Sequence, residues 1–297
     1  MYTQMLAFTY KYHNIPTQLI RERFQINFSP IRRPLLPWKD EVNNTARLIA
    51  ASTTKPLYVF MSGGIDSEVV ARAFLENNIP FTAITAKHTN GTNMHDTRFA
   101  DDFCKKYNIK QEIVEVDMSN FDTIIENYIE QGYRATNIYH YLQLILLERA
   151  EELGGFGVGG AGEQLYYTKD NEIHIKINSC YTLGMDWCKR NNTWHQFWFN
   201  LTTPEIYAAY MQIDIIKTLL QNPEYFVNHH FASIEKRMVL HRFWPDMVRR
   251  TKFSGFEKIE DSYRQPKQAE LSCRFPDIGD LFIPISKIQQ QLKINDF

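Results

Sequence analysis

Residues 57–77 limit the choice of fold sharply, because an apolar run, a glycine turn and an amphipathic stretch follow one another without a spacer. The apolar run predicts a buried strand over 57–61, and apolar residues at helical spacing predict a helix over about 66–77. The turn between them reads Ser62-Gly63-Gly64-Ile65-Asp66-Ser67. A strand that passes through a tight turn directly into a helix is typical of α/β folds.

The residue types in this turn suit the binding of phosphate. Gly63 and Gly64 lack Cβ atoms, so the backbone can bring its N–H groups close to an anion. The helix that follows contributes unpaired N–H groups and the positive end of its dipole. Ser62 and Ser67 add hydroxyl donors. Asp66 would repel phosphates unless a cation lay between them, and Mg²⁺ is the natural cation for such a site.

The turn is not a Walker A loop, because no lysine follows its glycines. It resembles the PP-loop of the N-type ATP pyrophosphatases, a superfamily that includes asparagine, GMP, NAD and argininosuccinate synthetases and several tRNA-modifying enzymes. The resemblance implies a Rossmann-like fold of the HUP type, with ATP and Mg²⁺ as cofactors. It also implies cleavage of ATP between its α and β phosphates, which yields pyrophosphate and an adenylated substrate.

Short apolar runs alternate with helical patterns on both sides of the loop. A helix is predicted over 38–52, and the elements after the loop are strands and helices in turn: 81–86, 94–107, 113–117, 137–152 and 157–159. This order predicts a parallel, doubly wound α/β sheet. Ligands of such sheets lie at the carboxyl ends of the strands, where Ser62 and Thr85 would emerge. The resemblance places Thr85 and Ala86 beside the adenosine.

The remaining sequence predicts three parts. Residues 1–37 read as an irregular extension rich in aromatics and prolines, 38–170 as the ATP pyrophosphatase domain, and 171–297 as a mainly helical substrate or cap region. Within the last part, we expect an edge strand, two helices and an amphipathic tail, over 172–178, 204–221, 231–243 and 276–297. The aromatic cluster from Trp187 to Phe199 favours core packing, with a substrate pocket or a stacking surface for a base as alternatives.

A glycine-rich segment after helix 137–152 extends the resemblance. Gly159 to Tyr166 resembles the Gly-Glu-Gly-x-Asp-Glu-Leu-Phe motif of the synthetase domain of asparagine synthetase. Alignment on this motif places Gly160 at the first acidic position and Glu163 at the Asp position, so one acidic group stands where that family has three. Glu163 is thereby implied as a metal ligand and catalytic residue. Gly160 is implied as a residue that lets the backbone approach the nucleotide.

Two further segments resemble the same branch. Arg134-Ala135-Thr136 resembles an Arg-Ala-Ser segment, and residues 249–256 resemble an Arg-x-Lys-x-x-Phe stretch whose lysine reaches the ATP phosphates. The resemblance implies that role for Lys252. A cation there would stabilise the charge that develops as the α–β bond breaks. The alternative is a solvated basic helix face.

Composition excludes several other classes. The net charge of −1 gives no global basic field for nucleic acid, and no stretch approaches the length of a spanning helix. Cys104, Cys180, Cys188 and Cys273 form no Cys-x-x-Cys pair, so structural zinc is not expected. These features predict a cytoplasmic enzyme that is not bound to a membrane.

The function predicted from the sequence is an asparagine-synthetase-like ligase. It would adenylate a carboxylate or amide oxygen of a small-molecule acceptor, which a nitrogen nucleophile then attacks. Residue 2 is Tyr2, and the loop comes too early for a preceding glutaminase domain. The nitrogen is therefore expected from free ammonia, another amine or a separate partner glutaminase. Two alternatives stay open: an enzyme that modifies tRNA or a nucleobase, and a non-catalytic ATP-binding protein.

Overall fold

The computed structural model describes residues 8–12, 24–160, 166–169, 172–177, 181–196, 198–222, 234–248, 250, 263–275 and 281–294. At its centre is a four-stranded parallel sheet. In chain order its strands are β3 (Leu57–Phe60), β4 (Thr82–His88), β5 (Gln111–Val116) and β6 (Phe156–Gly159). Their spatial order is β5-β4-β3-β6. The predicted α/β class with a parallel, Rossmann-like sheet is confirmed.

Five helices surround this sheet. They are α1 (Trp38–Ala51), α2 (Ile65–Glu76), α3 (Met94–Lys106), α4 (Phe121–Glu130) and α5 (Tyr139–Glu152). The predicted inward residues of α2, among them Val70 and Phe74, are buried. Right-handed crossovers place α2 and α3 on one face of the sheet and α5 on the other, so the sheet is doubly wound. Helix α4 was not predicted.

The strand order reverses direction beside β3. The chain passes from β3 outward to β4 and β5, and then returns to add β6 on the opposite side of β3. The carboxyl ends of β3 and β6 therefore meet at the topological switch point, where open α/β sheets bind their ligands. Gln196 and Trp198 extend the sheet beyond β6 through bridges to Val158 and Gly160, respectively.

The predicted irregular extension contains two strands. β1 (Phe8–Tyr12) and β2 (Phe24–Phe28) pair antiparallel, which corrects the prediction for these residues. Their sequences alternate apolar and polar residues, a period-two signal that the nearby prolines obscured. Residues 29–37 have no regular structure, as expected. Ile31 N donates to Leu292 O, so this segment packs against the carboxyl-terminal helix.

A three-stranded antiparallel sheet follows the parallel one. It consists of β7 (Tyr166–Lys169), β8 (Glu172–Ile177) and β9 (Leu281–Pro284), with β8 in the centre. The prediction of β8 as an edge strand was wrong, because β9 pairs along its second side. The predicted tail therefore contributes a strand before its helix. The division into parts at residues 37 and 170 stays a prediction.

The described α-helices after β8 are α6 (Tyr181–Arg190), α7 (Pro204–Met211), α8 (Asp214–Leu220), α9 (Ile234–Phe243), α10 (Gln265–Arg274) and α11 (Ile285–Leu292). The single helix predicted over 204–221 is two helices, and α6 and α10 were not predicted. Among the described helices, none has the length and apolar character needed to cross a bilayer.

The aromatic cluster forms part of the core. Trp187, Trp198 and Phe199 are buried, and Trp194 packs against the core from a half-buried position. Phe197 lies outside the described residues. Core packing is thus the correct interpretation for the described members of this cluster, and they offer no exposed platform for a base.

Candidate functional site

The turn after β3 adopts the conformation that its glycines predict. Gly63 has φ +88°, a left-handed value that L-residues with side chains rarely adopt. A Cβ atom on Gly63 would lie 1.9 Å from the carbonyl oxygen of Asp96, in the first turn of α3. The turn is therefore pressed against α3, and only glycine fits at this position.

Two hydroxyl groups converge across the turn. The Oγ atoms of Ser62 and Ser67 lie 3.4 Å apart, Gly64 N donates to Ser62 Oγ, and Ser67 Oγ donates to Gly64 O. Gly64 is the N-cap of α2 and has no side chain to accept from the first-turn N–H groups. Those groups and both hydroxyls thus surround the place where a phosphate would lie.

A second helix begins at the same edge. Asn93 is the N-cap of α3, but its side chain faces β4 instead of its own helix. Asn93 Nδ2 donates to Ala86 O at 2.9 Å, and Asn93 Oδ1 accepts from His88 N at 2.9 Å. The side chain therefore acts as a short strand partner for the part of β4 that extends past the end of β3. It fixes the strand segment that the resemblance places beside the adenosine.

Thr85 lies inside β4 instead of at its end. Strand β4 continues to His88, and the fully buried Thr85 Oγ1 accepts from Gln111 Nε2 at 2.9 Å. Ala86 is half-buried beyond the end of β3. Contacts of this segment with a nucleoside would therefore come from its backbone. Burial lowers the pKa of His88 to about 4, so this imidazole is neutral at pH 7.

The glycines in and beside β6 meet the neighbouring strand and helix. A Cβ atom on Gly155 would lie 2.1 Å from the ring of Tyr58, and one on Gly157 would lie 2.4 Å from Cζ of Phe60. On Gly160 it would lie 2.9 Å from the backbone nitrogen of Ser67. Gly160 therefore lets the end of β6 approach the first turn of α2, and the backbone it approaches is that of the loop itself.

Trp244, Asp246 and Arg250 contact one face of α2 in the reverse of chain order. Trp244 Nε1 donates to Glu76 Oε1 at 2.7 Å, at the end of the helix. Arg72, one turn earlier, donates to both carboxylate oxygens of Asp246 at 2.9 and 3.2 Å. The Arg72 guanidinium, together with Lys106, holds the pKa of Asp246 below its usual value.

The last contact of this series lies beside the phosphate loop. Arg250 Nη2 donates to Glu68 Oε2 at 2.6 Å, and Arg72 Nε donates to Glu68 Oε1 at 2.8 Å. The Arg250 guanidinium also stacks over Phe99, 4.8 Å from the ring centroid. We call the three contacts Trp244–Glu76, Asp246–Arg72 and Arg250–Glu68 the α2 ladder. The sequence analysis did not predict these contacts, although it included Arg250 in the basic segment. The only sequence signal for them is the spacing of Glu68, Arg72 and Glu76, which places the three side chains on one helix face.

The structure brings together most of the predicted site residues. Ser62, Gly63, Gly64, Asp66, Ser67 and Gly160 lie at the switch point, and Thr85 and Ala86 lie on the adjacent strand. Glu163 and Lys252 lie outside the described residues, so their predicted roles stay predictions. Arg134 is exposed, and its guanidinium lies over the ring of Phe275.

The donor set at the loop fits a magnesium ion that is shared with phosphates. Among the described residues, no three His, Cys, Asp or Glu side chains come together in a way that would hold a metal ion by themselves. Mg²⁺ with a nucleotide usually needs only one or two carboxylates, since phosphates and water complete its shell. Asp66, half-buried in the first turn of α2, suits that role.

Comparison with known proteins gives distant structural likenesses. NMN synthetase from Francisella tularensis is 13% identical with a TM-score of 0.35, over 78% of this chain and 94% of that one. A protein described as a predicted subunit of tRNA methyltransferase from Methanocaldococcus jannaschii is 13% identical with a TM-score of 0.38, over 72% and 91%. NH3-dependent NAD synthetase from Campylobacter jejuni is 14% identical with a TM-score of 0.32, over 81% and 94%.

No protein-family model matches the chain, and no curated protein matches it by sequence. Because the backbones of the three solved structures overlap so little with this one, the fold assignment rests on the topology of the sheet itself.

Proposed function

We propose that the protein is an AMP-forming ATP pyrophosphatase of the PP-loop type, which adenylates an oxygen of an acceptor and then joins the activated acceptor carbon to nitrogen. The observation that carries the proposal is the position of Ser62–Ser67. The loop lies at the switch point of a parallel sheet, between the first turns of two helices whose N-caps make no side-chain cap hydrogen bond. This is the place and the donor set that a polyphosphate needs.

The side chains of the loop have separate tasks in this proposal. The hydroxyls of Ser62 and Ser67 and the N–H groups of α2 hold the β and γ phosphates. Asp66, with Glu163 as the second carboxylate, holds Mg²⁺, which offsets the phosphate charge when bound. The other carboxylate of the first turn, Glu68, is already paired with two arginines and adds little repulsion toward the phosphates.

The reaction proposed for this site has two steps. A carboxylate or amide oxygen of the acceptor attacks the α phosphorus in line, and pyrophosphate leaves. A nitrogen nucleophile, such as ammonia, then attacks the activated carbon, and AMP leaves. Lys252 stabilises the charge that builds on the bridging and β oxygens in the first step. Backbone groups of Thr85 and Ala86 face the adenosine.

Isotope exchange between labelled pyrophosphate and ATP tests the first step without knowledge of the nucleophile. We expect exchange that depends on Mg²⁺ and on an acceptor from a pool of amino acids and small carboxylates. The products in the presence of ammonia should be AMP and pyrophosphate. Release of ADP and phosphate would contradict α–β cleavage. Exchange that appears only when tRNA is added would favour a nucleic-acid substrate. ATP binding without exchange under any condition would indicate that the protein binds the nucleotide without catalysis.

A further inference from the structure

We propose that Arg250 controls the affinity of the loop for ATP through Glu68, whose carboxylate it neutralises, and not through a contact of its own with the phosphates. Arg250 is then a positioning residue that acts through a neighbouring acid. The inference rests on the proposed function, because it concerns how the loop holds the phosphates of ATP. A cation that binds phosphate directly would respond differently when Glu68 is changed, so the two roles can be separated.

Glu68 lies where a negative charge opposes the binding of phosphate. It belongs to the first turn of α2 and directly follows Ser67, whose hydroxyl donates to Gly64 O in the loop. The positive end of the helix dipole attracts anions, and a carboxylate in the same turn competes for that attraction. Asp66, the other acid of this turn, can be offset by Mg²⁺. Glu68 is 4% exposed and needs a cation that the protein supplies.

Two guanidinium groups supply this compensation. Arg72 Nε donates to Glu68 Oε1 at 2.8 Å, and Arg250 Nη2 donates to Glu68 Oε2 at 2.6 Å, so each carboxylate oxygen has its own cation. Arg72 also donates to both oxygens of Asp246. The charge of Arg72 is therefore shared between two carboxylates, and Arg250 supplies the second positive charge. Without Arg250, this part of the α2 ladder would place a net negative charge beside the loop.

The surroundings of Arg250 explain its position without a ligand. Glu68 and Arg250 are 4 and 8% exposed, so salt and water screen their charges poorly. The Arg250 guanidinium stacks over Phe99 of α3, 4.8 Å from the ring centroid. The first turn of α3 contacts Gly63. Arg250 is thus held between the two helices that border the loop, by an acid of one and a ring of the other.

The test measures binding of ATP and of pyrophosphate, each with Mg²⁺, by isothermal titration calorimetry. Arg250→Met should raise both Kd values about tenfold, because a buried carboxylate is left undercompensated near the phosphates. Glu68→Gln keeps the shape of the side chain but removes the charge, so Arg250 then adds a positive charge and Kd should fall about 2- to 10-fold. The double variant Glu68→Gln/Arg250→Met should return to within about threefold of the wild-type Kd.

Lys106→Met is the matched control. Lys106 Nζ lies 3.4 Å from Asp246 Oδ2, at the exposed end of the same network. This change also removes one positive charge from the network, but water screens the exposed pair, and Kd should change less than about twofold.

The double variant decides between the two roles of Arg250. If it binds ATP as weakly as Arg250→Met does, Arg250 contacts the phosphates directly and the proposal is overturned. An unchanged Kd in folded Arg250→Met overturns it as well. If circular dichroism shows that Arg250→Met does not fold, Glu68→Gln decides alone: tighter binding supports the proposal, and equal or weaker binding contradicts it. A folded wild-type protein that binds neither ATP nor pyrophosphate would instead contradict the proposed function, and the inference with it.

Discussion

The parallel sheet contains two glycine-rich segments whose glycines meet different demands. In Ser62–Ser67, Gly63 adopts a left-handed φ against the first turn of α3, and the hydroxyl groups of Ser62 and Ser67 converge across the turn. Just before and within β6, Gly155 and Gly157 make room for the rings of Tyr58 and Phe60, which lie on the neighbouring strand. The first segment gathers polar groups at the end of a strand, and the second is filled by aromatic rings of the protein itself.

This difference shows what glycine content can and cannot indicate. A run of glycines tells us that something must come close to the backbone, but the approaching group can be a phosphate, an aromatic ring or another helix. Gly160 and Gly63 illustrate the third case, since their partners are the first turns of α2 and α3. The polar residues that accompany the glycines distinguish the two segments: serines and an aspartate flank Gly63, whereas apolar residues flank Gly157.

The largest expected effect comes from Asp66→Ala, which tests whether the first segment faces a ligand. We expect pyrophosphate exchange to fall by about 10³-fold or more, because a metal ion contributes several kcal/mol of charge stabilisation. The free energy of unfolding should change by less than about 0.5 kcal/mol, as is usual for a site that is not in the core. Glu115→Ala, at an exposed acid on β5, serves as the control and should retain full exchange. Full activity in Asp66→Ala would contradict the assignment of the site to this loop.

Gly63→Ala should affect both stability and exchange. The new Cβ atom would meet the carbonyl oxygen of Asp96 at 1.9 Å, and φ +88° strains any residue with a side chain. We expect a loss of about 2 to 4 kcal/mol in the free energy of unfolding, from the strained dihedral and the overpacking together. Exchange per folded molecule should also drop, since the loop cannot keep its shape. Urea unfolding and the exchange assay, run on the same sample, separate the two losses.

Gly157→Ala should affect stability alone, and so separates the second segment from the first. The Cβ atom would lie 2.4 Å from Cζ of Phe60, so the buried ring must move. We expect a loss of about 1 to 3 kcal/mol. In a Phe60→Leu background the same change should cost less, because the shorter side chain leaves room. A double-mutant cycle measures this coupling, and strictly additive losses would show that the ring is not the reason for the glycine.

The sequence predicted the regions with local signals and missed those that depend on distant partners. The strand, loop and helix over 57–77 lie within one or two residues of their predicted bounds, because their apolar periodicity and turn chemistry are contained in one short stretch. Strand β8 was assigned to an edge because β9 comes more than a hundred residues later. The pair of Glu68 and Arg250 is separated by 182 residues, and no periodicity connects them. The need for glycine at position 157 likewise depends on the ring of Phe60, which lies on another strand.

The smallest expected effect is a pH dependence of the free energy of unfolding that arises beside β6. There His195 Nδ1 accepts a hydrogen bond from Gly157 N at 2.8 Å. Burial lowers the pKa of His195 to about 4, although the nearby Glu151 carboxylate acts in the opposite direction. In the unfolded chain a histidine titrates near pH 6.5. Between these values the unfolded chain binds a proton that the folded protein does not, so the free energy of unfolding falls as the pH is lowered.

From pH 6.5 to 5.5 the contribution of His195 is about 1 kcal/mol. His195→Gln keeps an acceptor for the Gly157 N–H group but removes the titration, so its urea midpoint should fall less over this interval than that of the wild-type protein. His88→Gln should show a similar reduction, because burial lowers the pKa of His88 to the same range. A His195→Gln variant with the wild-type pH dependence would mean that the imidazole accepts a proton in the folded state. The hydrogen bond to Gly157 would then break, and the packing around β6 would depend on pH.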